Sequence, residues 1–364
     1  MQIGIIGLPT SGKTAVFNAL TGSHADTTIG GRKDPNRGVC PVPDSRLDRL
    51  EEIIKPKRKA YATVEFTDVA GLTKGASKEQ GFSSRFLGHL RDMEALLVVI
   101  RVFTSDTIPH PEGRIDPVRD LETILAELYL ADMSIIENRL PRLESMKKKD
   151  AARRKQYEQE ETSLRRFLSA LEQDRPITSV QPTEQEIAEY IRPYGLLSGK
   201  QMVVLANVGD LTKPGEEAVL DALRPAVQAR GFEMVVLNAQ LETEVRELAE
   251  SEWQEYFEAC GLDGPGTTEV IRASYRALRQ HSFLTGNEEE VHAWTVAIGS
   301  KAPTAAGRVH TDMERGFIRA EVVAFEDLNR EGSFEACKRA GKYRLEGKDY
   351  VVQDGDVIQF RFAV

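Results

Sequence analysis

The stretch from Gly7 to Thr14 reads GLPTSGKT, the spacing G-x-x-x-x-G-K-[ST], with an apolar run, QIGII, before it and a helical pattern from Ala15 onward. These residue types in this order can hold a polyphosphate. Gly7 and Gly12 let the main chain curl so that its N–H groups point inward, and the start of a helix adds a favourable dipole. Lys13 brings a point charge to the β and γ oxygens, and the Thr14 hydroxyl is a ligand for Mg2+. Further on, FTDVAG sets Asp68 and Gly71 in a D-x-x-G pattern at the end of a second strand-like run. An aspartate there holds magnesium through water, and the glycine offers its N–H to the γ-phosphate. A third cluster, NVGD at Asn207 to Asp210, follows the apolar run MVVLA. It lies where nucleotide-binding loops carry N-K-x-D. Asn207 ties that loop to the phosphate loop, Asp210 accepts from a guanine edge, and Val208 replaces the lysine that stacks along the base. Alone, the second and third clusters are ordinary turn residues. In series behind a complete phosphate loop they describe one site for a purine triphosphate, ATP or GTP.

Such a site needs a sheet to carry it. Apolar runs at residues 2–6, 96–102, 202–206 and 234–237, with an apolar–polar alternation at 64–68, are of strand length and are separated by helical stretches. That pattern predicts an α/β fold, a mostly parallel sheet covered on both faces. Residues 1–125 and 199–280 are expected to form this P-loop nucleotide-binding domain. From Asp120 to Glu172 the composition shifts to Leu, Glu, Lys and Arg, with Leu121, Leu125, Leu128, Ile135 and Ile136 at helical spacing. Residues 126–198 therefore read as an inserted helical, coiled-coil-like arm. The polar run KKKDAARRKQYEQEE predicts its solvent-facing tip, either a plain solvated hairpin or a partner-binding arm. Strand-like pieces at 293–298, 317–323, 350–352 and 357–362 make residues 281–364 a small β-rich domain.

Composition narrows the function further. The 364 residues allow two or three domains. A formal net charge of −9 excludes a globally basic nucleic-acid binder, although a local basic patch remains open. Cys40, Cys260 and Cys337 are odd in number and far apart, which argues against a disulfide framework and for a reducing compartment. No apolar run reaches the ~20 residues that cross a bilayer. The N-terminus has no basic segment ahead of its apolar stretch and leads straight into the phosphate loop. A cytoplasmic protein is expected, with no membrane partner and no feature that implies an oligomer.

Over essentially its whole length the chain resembles the YchF, or Obg-like, ATPases. The likeness is carried by GLPTSGKTAVFNALT, PNRGVCPVPDSRLDRL, EFTDVAGLTKGASKEQG, the NVGD loop, and the C-terminal APTAAGRVHTDMERGFIRAEV and AGKYRLEGKDYVVQDGDVIQFRFAV. The resemblance implies that the last domain is a TGS domain, a β-grasp module found in RNA- or ribosome-linked proteins. It implies phosphate contacts from Thr10, Ser11, Gly12, Lys13, Thr14 and Ala15, and a base lying against Asn207 and Val208. It also implies a preference for ATP and a ribosome- or RNA-associated switch. Val208 fits the ATP preference, whereas Asp210, where relatives commonly carry Glu, is the residue of guanine readers.

Three positions bear on the mechanism that the resemblance implies. Leu72 follows the D-x-x-G glycine and cannot orient water. In the family a loop histidine is proposed for that role, and His110 matches it, able as a neutral imidazole to orient or deprotonate a water; the alternative is an exposed histidine without a role. Arg32 stands where relatives have the switch threonine, either as a phosphate contact or as plain surface. Gly31 occupies the place of a cysteine that some relatives carry, so redox control there is not expected. Arg32 and Leu72 together motivate a competing reading, a nucleotide-sensing scaffold with negligible hydrolysis. A small-molecule kinase fits poorly, because no Arg-rich lid is apparent.

Overall fold

The computed structural model describes residues 2–23, 25, 35–69 and 84–363; Gly31, Arg32, Gly71 and Leu72 lie outside the described residues. Strand β1 (Gln2–Ile6) is buried almost throughout, because it runs through the middle of a six-stranded sheet. Its companions are β2 (Asn36–Pro41), β4 (Thr63–Asp68), β5 (Ala95–Arg101), β6 (Gln201–Asn207) and β7 (Glu233–Leu237), while β3 (Arg58–Ala60) belongs to a second sheet. The order is β2-β4-β1-β5-β6-β7. The pairs β1·β4, β1·β5, β5·β6 and β6·β7 are all parallel. Every residue of β5 is buried, as expected of a parallel strand with both faces covered. The register sets Ile5 opposite Asp68 and Arg101 opposite Asn207, so the carboxyl ends of β1, β4, β5 and β6 meet at one edge. Ligands of open α/β sheets bind at that edge.

The chain divides into two compact units, residues 1–38 with 65–274, and residues 39–64 with 275–364. The sequence pattern assigned 39–64 to the nucleotide-binding domain, and the structure groups it with the C-terminal unit instead. The cause is helix α2 (Ser45–Ile54), which follows α1 (Lys13–Thr21). Asp44 caps it by accepting from the Arg46 N–H at 3.0 Å, and Leu47 and Leu50 are fully buried. Leu50 and Ile54 close on Gly286, where any side chain would collide with Ile54. Burying two leucines is worth about 1.5–3 kcal/mol each, enough to decide which core an amphipathic turn of this length joins.

Within the first unit, α3 (Ser84–Asp92) precedes β5, and the arm follows as α4 (Pro117–Lys149) and α5 (Arg154–Glu172). Helix α4 begins at Pro117, ahead of the expected boundary, because Asp116 caps it through the Arg119 N–H. The polar run 147–161 is less solvated than its composition suggests. Tyr157 and Glu160 are buried, and Glu160 accepts from Arg139 Nε at 2.7 Å and from the Tyr194 hydroxyl. The turn itself is confined to residues 150–153.

The second unit holds β8 (Gln280–Gly286), β9 (Glu290–Ala297), β10 (Phe317–Ala324), β11 (Arg344–Glu346) and β12 (Asp356–Phe362), in the order β11-β10-β12-β8-β9-β3. Strands β8 and β12 run parallel at the centre, with antiparallel neighbours β9 and β10 outside them. The helix Ala302–Val309 turns Ala302, Ala305 and Ala306 into a core with Phe283, Val322 and Ile358. This is a β-grasp arrangement. The expected strand at 350–352 reduces to one bridge, Val351 to Lys301, and β8 and β11 were not foreseen. No helix among the described residues is long and apolar enough to cross a membrane.

Candidate functional site

The phosphate loop leaves the buried end of β1 and enters α1 at Gly12, whose φ of 91° only glycine adopts cheaply. Glycine is needed there for a second reason. A Cβ on Gly12 would lie 2.2 Å from Asn207 Nδ2, and one on Gly7 would lie 2.4 Å from the Val99 carbonyl. Asn207 Nδ2 donates to the Ser11 carbonyl at 3.0 Å, and its Oδ1 accepts from the Ala239 N–H at 3.2 Å. The asparagine thus stitches the base loop to the phosphate loop, as its position in NVGD suggested. Thr10 holds a φ of 62°, a left-handed conformation that costs a β-branched residue roughly 1–2 kcal/mol. Its hydroxyl donates to the Pro9 carbonyl at 2.6 Å.

Lys13 is buried and donates to the carbonyls of Gly7 at 3.0 Å and Leu8 at 2.8 Å. Burial pulls its ammonium down to about 8, against a smaller opposing attraction from Asp68. Ser11 Oγ is buried and has no hydrogen-bond partner among the described residues. Thr14 and Ala15 occupy the first turn of α1, where main-chain N–H groups lack intrahelical acceptors. The Thr14 hydroxyl donates to Asp68 Oδ2 at 2.8 Å. Two hard oxygens meeting at this helix start fit a small divalent cation. No group of three or more His, Cys, Asp and Glu that could hold a metal occurs among the described residues, so such an ion would rely on water and phosphate for its other ligands.

The base loop departs from a guanine reader. Val208 is 1% exposed and its side chain belongs to the hydrophobic core. Asp210 Oδ1 accepts from the N–H of Thr212 at 3.0 Å and from its hydroxyl at 2.6 Å, which holds the carboxyl below its ordinary range.

His110 is not an exposed loop histidine. Its side chain is 4% exposed, Nε2 lies 2.8 Å from Asp120 Oδ2, and Nδ1 accepts the Glu112 N–H at 3.1 Å. That set fixes the tautomer with the proton on Nε2 and leaves neither nitrogen available in this arrangement. Three neighbouring residues carry no motif that singles them out in the sequence. Arg101 ends β5 and reaches Thr10, Phe103 lies 3.8 Å from the Cβ position of Gly12, and Glu216 accepts from the N–H and hydroxyl of Thr104. An arginine closing an otherwise apolar strand was the one signal available for the first of them.

The fold and the site define a P-loop nucleotide hydrolase of the GTPase-like class. A family model described as 50S ribosome-binding GTPase matches residues 2–139, and the YchF-GTPase C-terminal model, described as a protein of unknown function, matches residues 280–363. The Ribosome-binding ATPase YchF of Bacillus subtilis (strain 168) is 42% identical over 373 residues, covering 100% of both chains. Obg-like ATPase 1 of Caenorhabditis elegans is 37% identical, covering 100% of this chain and 92% of that one. The structure of the Schizosaccharomyces pombe YchF GTPase superposes with a TM-score of 0.85 at 30% identity, covering 99% of this chain and 97% of that one. The chain belongs to the YchF family.

Proposed function

We propose that this chain binds ATP with Mg2+ at the Gly7–Thr14 loop, hydrolyses the β–γ anhydride, and uses the nucleotide state to govern association with the ribosome in the cytoplasm. The observation that carries the reading is Lys13, a buried cation whose hydrogen bonds among the described residues go to neutral carbonyls of its own loop. A polyphosphate would give that ammonium anionic acceptors, which make hydrogen bonds about twice as strong. The N–H groups of Thr10 to Ala15 and the Ser11 hydroxyl would take the phosphate oxygens. Thr14 would hold the magnesium directly and Asp68 through water; when bound, the ion neutralises charge on the β and γ oxygens. ATP is favoured over GTP because the Asp210 carboxylate is drawn onto Thr212 and because the relatives above carry ATPase in their names. Gly71 remains the candidate γ-phosphate donor.

His110 is the candidate to activate water. To do so it keeps Nε2–H on Asp120, releases the Glu112 amide, and accepts the water proton at the freed Nδ1. The second reading, a nucleotide-sensing scaffold that hardly hydrolyses, is not favoured by relatives named as ATPases. Turnover of ATP and GTP by wild type and His110→Ala, with and without ribosomes, separates the two. Loss of roughly a hundredfold in kcat for His110→Ala supports the hydrolase. A negligible wild-type rate even with ribosomes present supports the scaffold. Ribosome association is checked by co-sedimentation of the full chain, expected to differ between ADP and a non-hydrolysable ATP analogue; an identical profile contradicts the switch. The expected oligomeric state is a monomer.

A further inference from the structure

Arg101 is the last residue of β5 and is 2% exposed. A buried guanidinium ordinarily sits on a carboxylate. This one has no ion-pair partner among the described residues. Its Nε donates to the Phe103 carbonyl at 3.2 Å, its Nη2 to the Ile108 carbonyl at 2.7 Å, and its Nη1 to Thr10 Oγ1 at 3.3 Å. The plane of the group lies over the Phe103 ring, 4.4 Å from the centroid. One rigid fork therefore joins two loops. At one end is Thr10, the strained left-handed residue of the phosphate loop. At the other is Ile108, two residues before His110.

The His110 side of the fork is held by Asp120, which also attracts the Arg101 guanidinium. Asp120, in the first turn of α4, takes His110 on Oδ2 and Arg119 on Oδ1 at 2.8 Å. With the ring anchored at Asp120 and the segment before it anchored at Arg101, the remaining freedom of the loop is movement with the phosphate loop itself. A phosphate group that reorders the N–H groups of the Gly7–Thr14 loop would move Thr10, and the fork would carry the shift to Ile108. We infer that Arg101 is a positioning residue that sets where His110 stands relative to the bound phosphates. It acts through His110 and the Ile108 carbonyl and does not touch the reacting atoms. Lysine cannot replace it, because one ammonium on a flexible stem cannot span three acceptors in a plane and stack on a ring.

The inference rests on the reading of His110 as the group that activates water, so the experiment is a cycle that tests both. Full-length wild type, Arg101→Ala, Arg101→Lys, His110→Ala and the Arg101→Ala/His110→Ala double variant are compared for ATP turnover. Each is also titrated with a non-hydrolysable ATP analogue and Mg2+. The expected result is a kcat lowered roughly tenfold to a hundredfold for both Arg101 variants, as a displaced catalytic group gives, with analogue affinity within about threefold of wild type. The double variant is expected to be no slower than His110→Ala alone, because residues acting as one unit are not additive. Should Arg101→Ala fail to fold, Arg101→Lys, which keeps the charge and most of the buried stem, decides the matter. Analogue affinity weakened tenfold or more at unchanged kcat would make Arg101 a direct phosphate ligand and overturn the inference. So would additive losses in the double variant. Wild-type turnover in His110→Ala removes the reading of the histidine itself, whereas a slow His110→Ala beside a fast Arg101→Lys removes only the role of Arg101.

Discussion

At the phosphate loop, the buried Lys13 donates to two neutral carbonyls with Asp68 near enough to attract it, and Ser11 Oγ has no partner among the described residues. At the foot of the helical arm, Asp132 is fully buried with a complete set: the N–H groups of Leu197 at 2.8 Å and Ser198 at 2.7 Å, and the Ser198 hydroxyl at 2.6 Å. Both places bury a titratable group, and at Asp132 the protein's own donors reach both oxygens, although burial still disfavours the charge. Asp132 joins α4 to the segment before β6, so its donors are the protein's own and hold the arm in register. In the cradle the Thr10 and Thr14 hydroxyls have acceptors within the chain, and the Ser11 hydroxyl has none among the described residues. An unsatisfied buried hydroxyl costs stability, and a ligand accepting from Ser11 Oγ would offset that cost.

The comparison can be attacked first at the arm. Burial raises the Asp132 carboxyl to about 6, with the Ser198 and Leu197 hydrogen bonds opposing the shift. A folded value above the unfolded 3.8 means that the stabilising contribution is full below the unfolded value and is lost as pH rises through about 6. The difference between the two values corresponds to about 3 kcal/mol. Asp132→Asn, neutral throughout, is expected to lack this slope; urea unfolding midpoints of the two proteins compared across pH 4 to 7 check it. Parallel pH profiles would show that the buried carboxyl does not titrate there. At the cradle the expected effect is smaller and of another kind. Ser11→Ala should leave the free protein's Tm unchanged, because the hydroxyl has no partner to lose. Triphosphate affinity should drop about fivefold to tenfold, the worth of one hydrogen bond of about 1 kcal/mol or slightly more. A Tm lowered by the same change would reveal an internal role for the hydroxyl.

Much of this was legible in the chain. Four strands of the first sheet announced themselves as apolar runs, as parallel strands buried on both faces do, a fifth at 64–68 showed as apolar–polar alternation, and the phosphate loop is a local motif set by backbone sterics. What failed to show had long-range causes. The excursion 39–64 carries a recognisable amphipathic turn, but nothing in Leu47, Leu50 or Ile54 says which core will accept them. Strand β8 begins Gln280-His281-Ser282, polar residues that only neighbours on both sides make tolerable within a sheet. At the site, types and spacing singled out Lys13, Thr14, Asp68 and Asn207, and the fold brings them together: Thr14 bonds Asp68, Asn207 bonds the Ser11 carbonyl, and Lys13 bonds the carbonyls of its own loop. Arg101 was missed because its meaning lies in reaching Thr10, 91 residues away in sequence. The side-chain state of His110 was equally hidden, since an imidazole after a proline in a polar loop reads as exposed until Asp120 and Glu112 close on it.

The Lys13 ammonium is expected to find its anionic acceptors in a polyphosphate. Calorimetric titration of wild type and Lys13→Ala with a non-hydrolysable ATP analogue and Mg2+ near neutral pH tests it most directly. The predicted result is binding by wild type and at least a hundredfold weaker binding by the variant. The variant's Tm is expected to be no lower than wild type, since the substitution removes a desolvated cation that bonds neutral carbonyls of its own loop. Binding by Lys13→Ala within about threefold of wild type, less than one ordinary hydrogen bond, would contradict it.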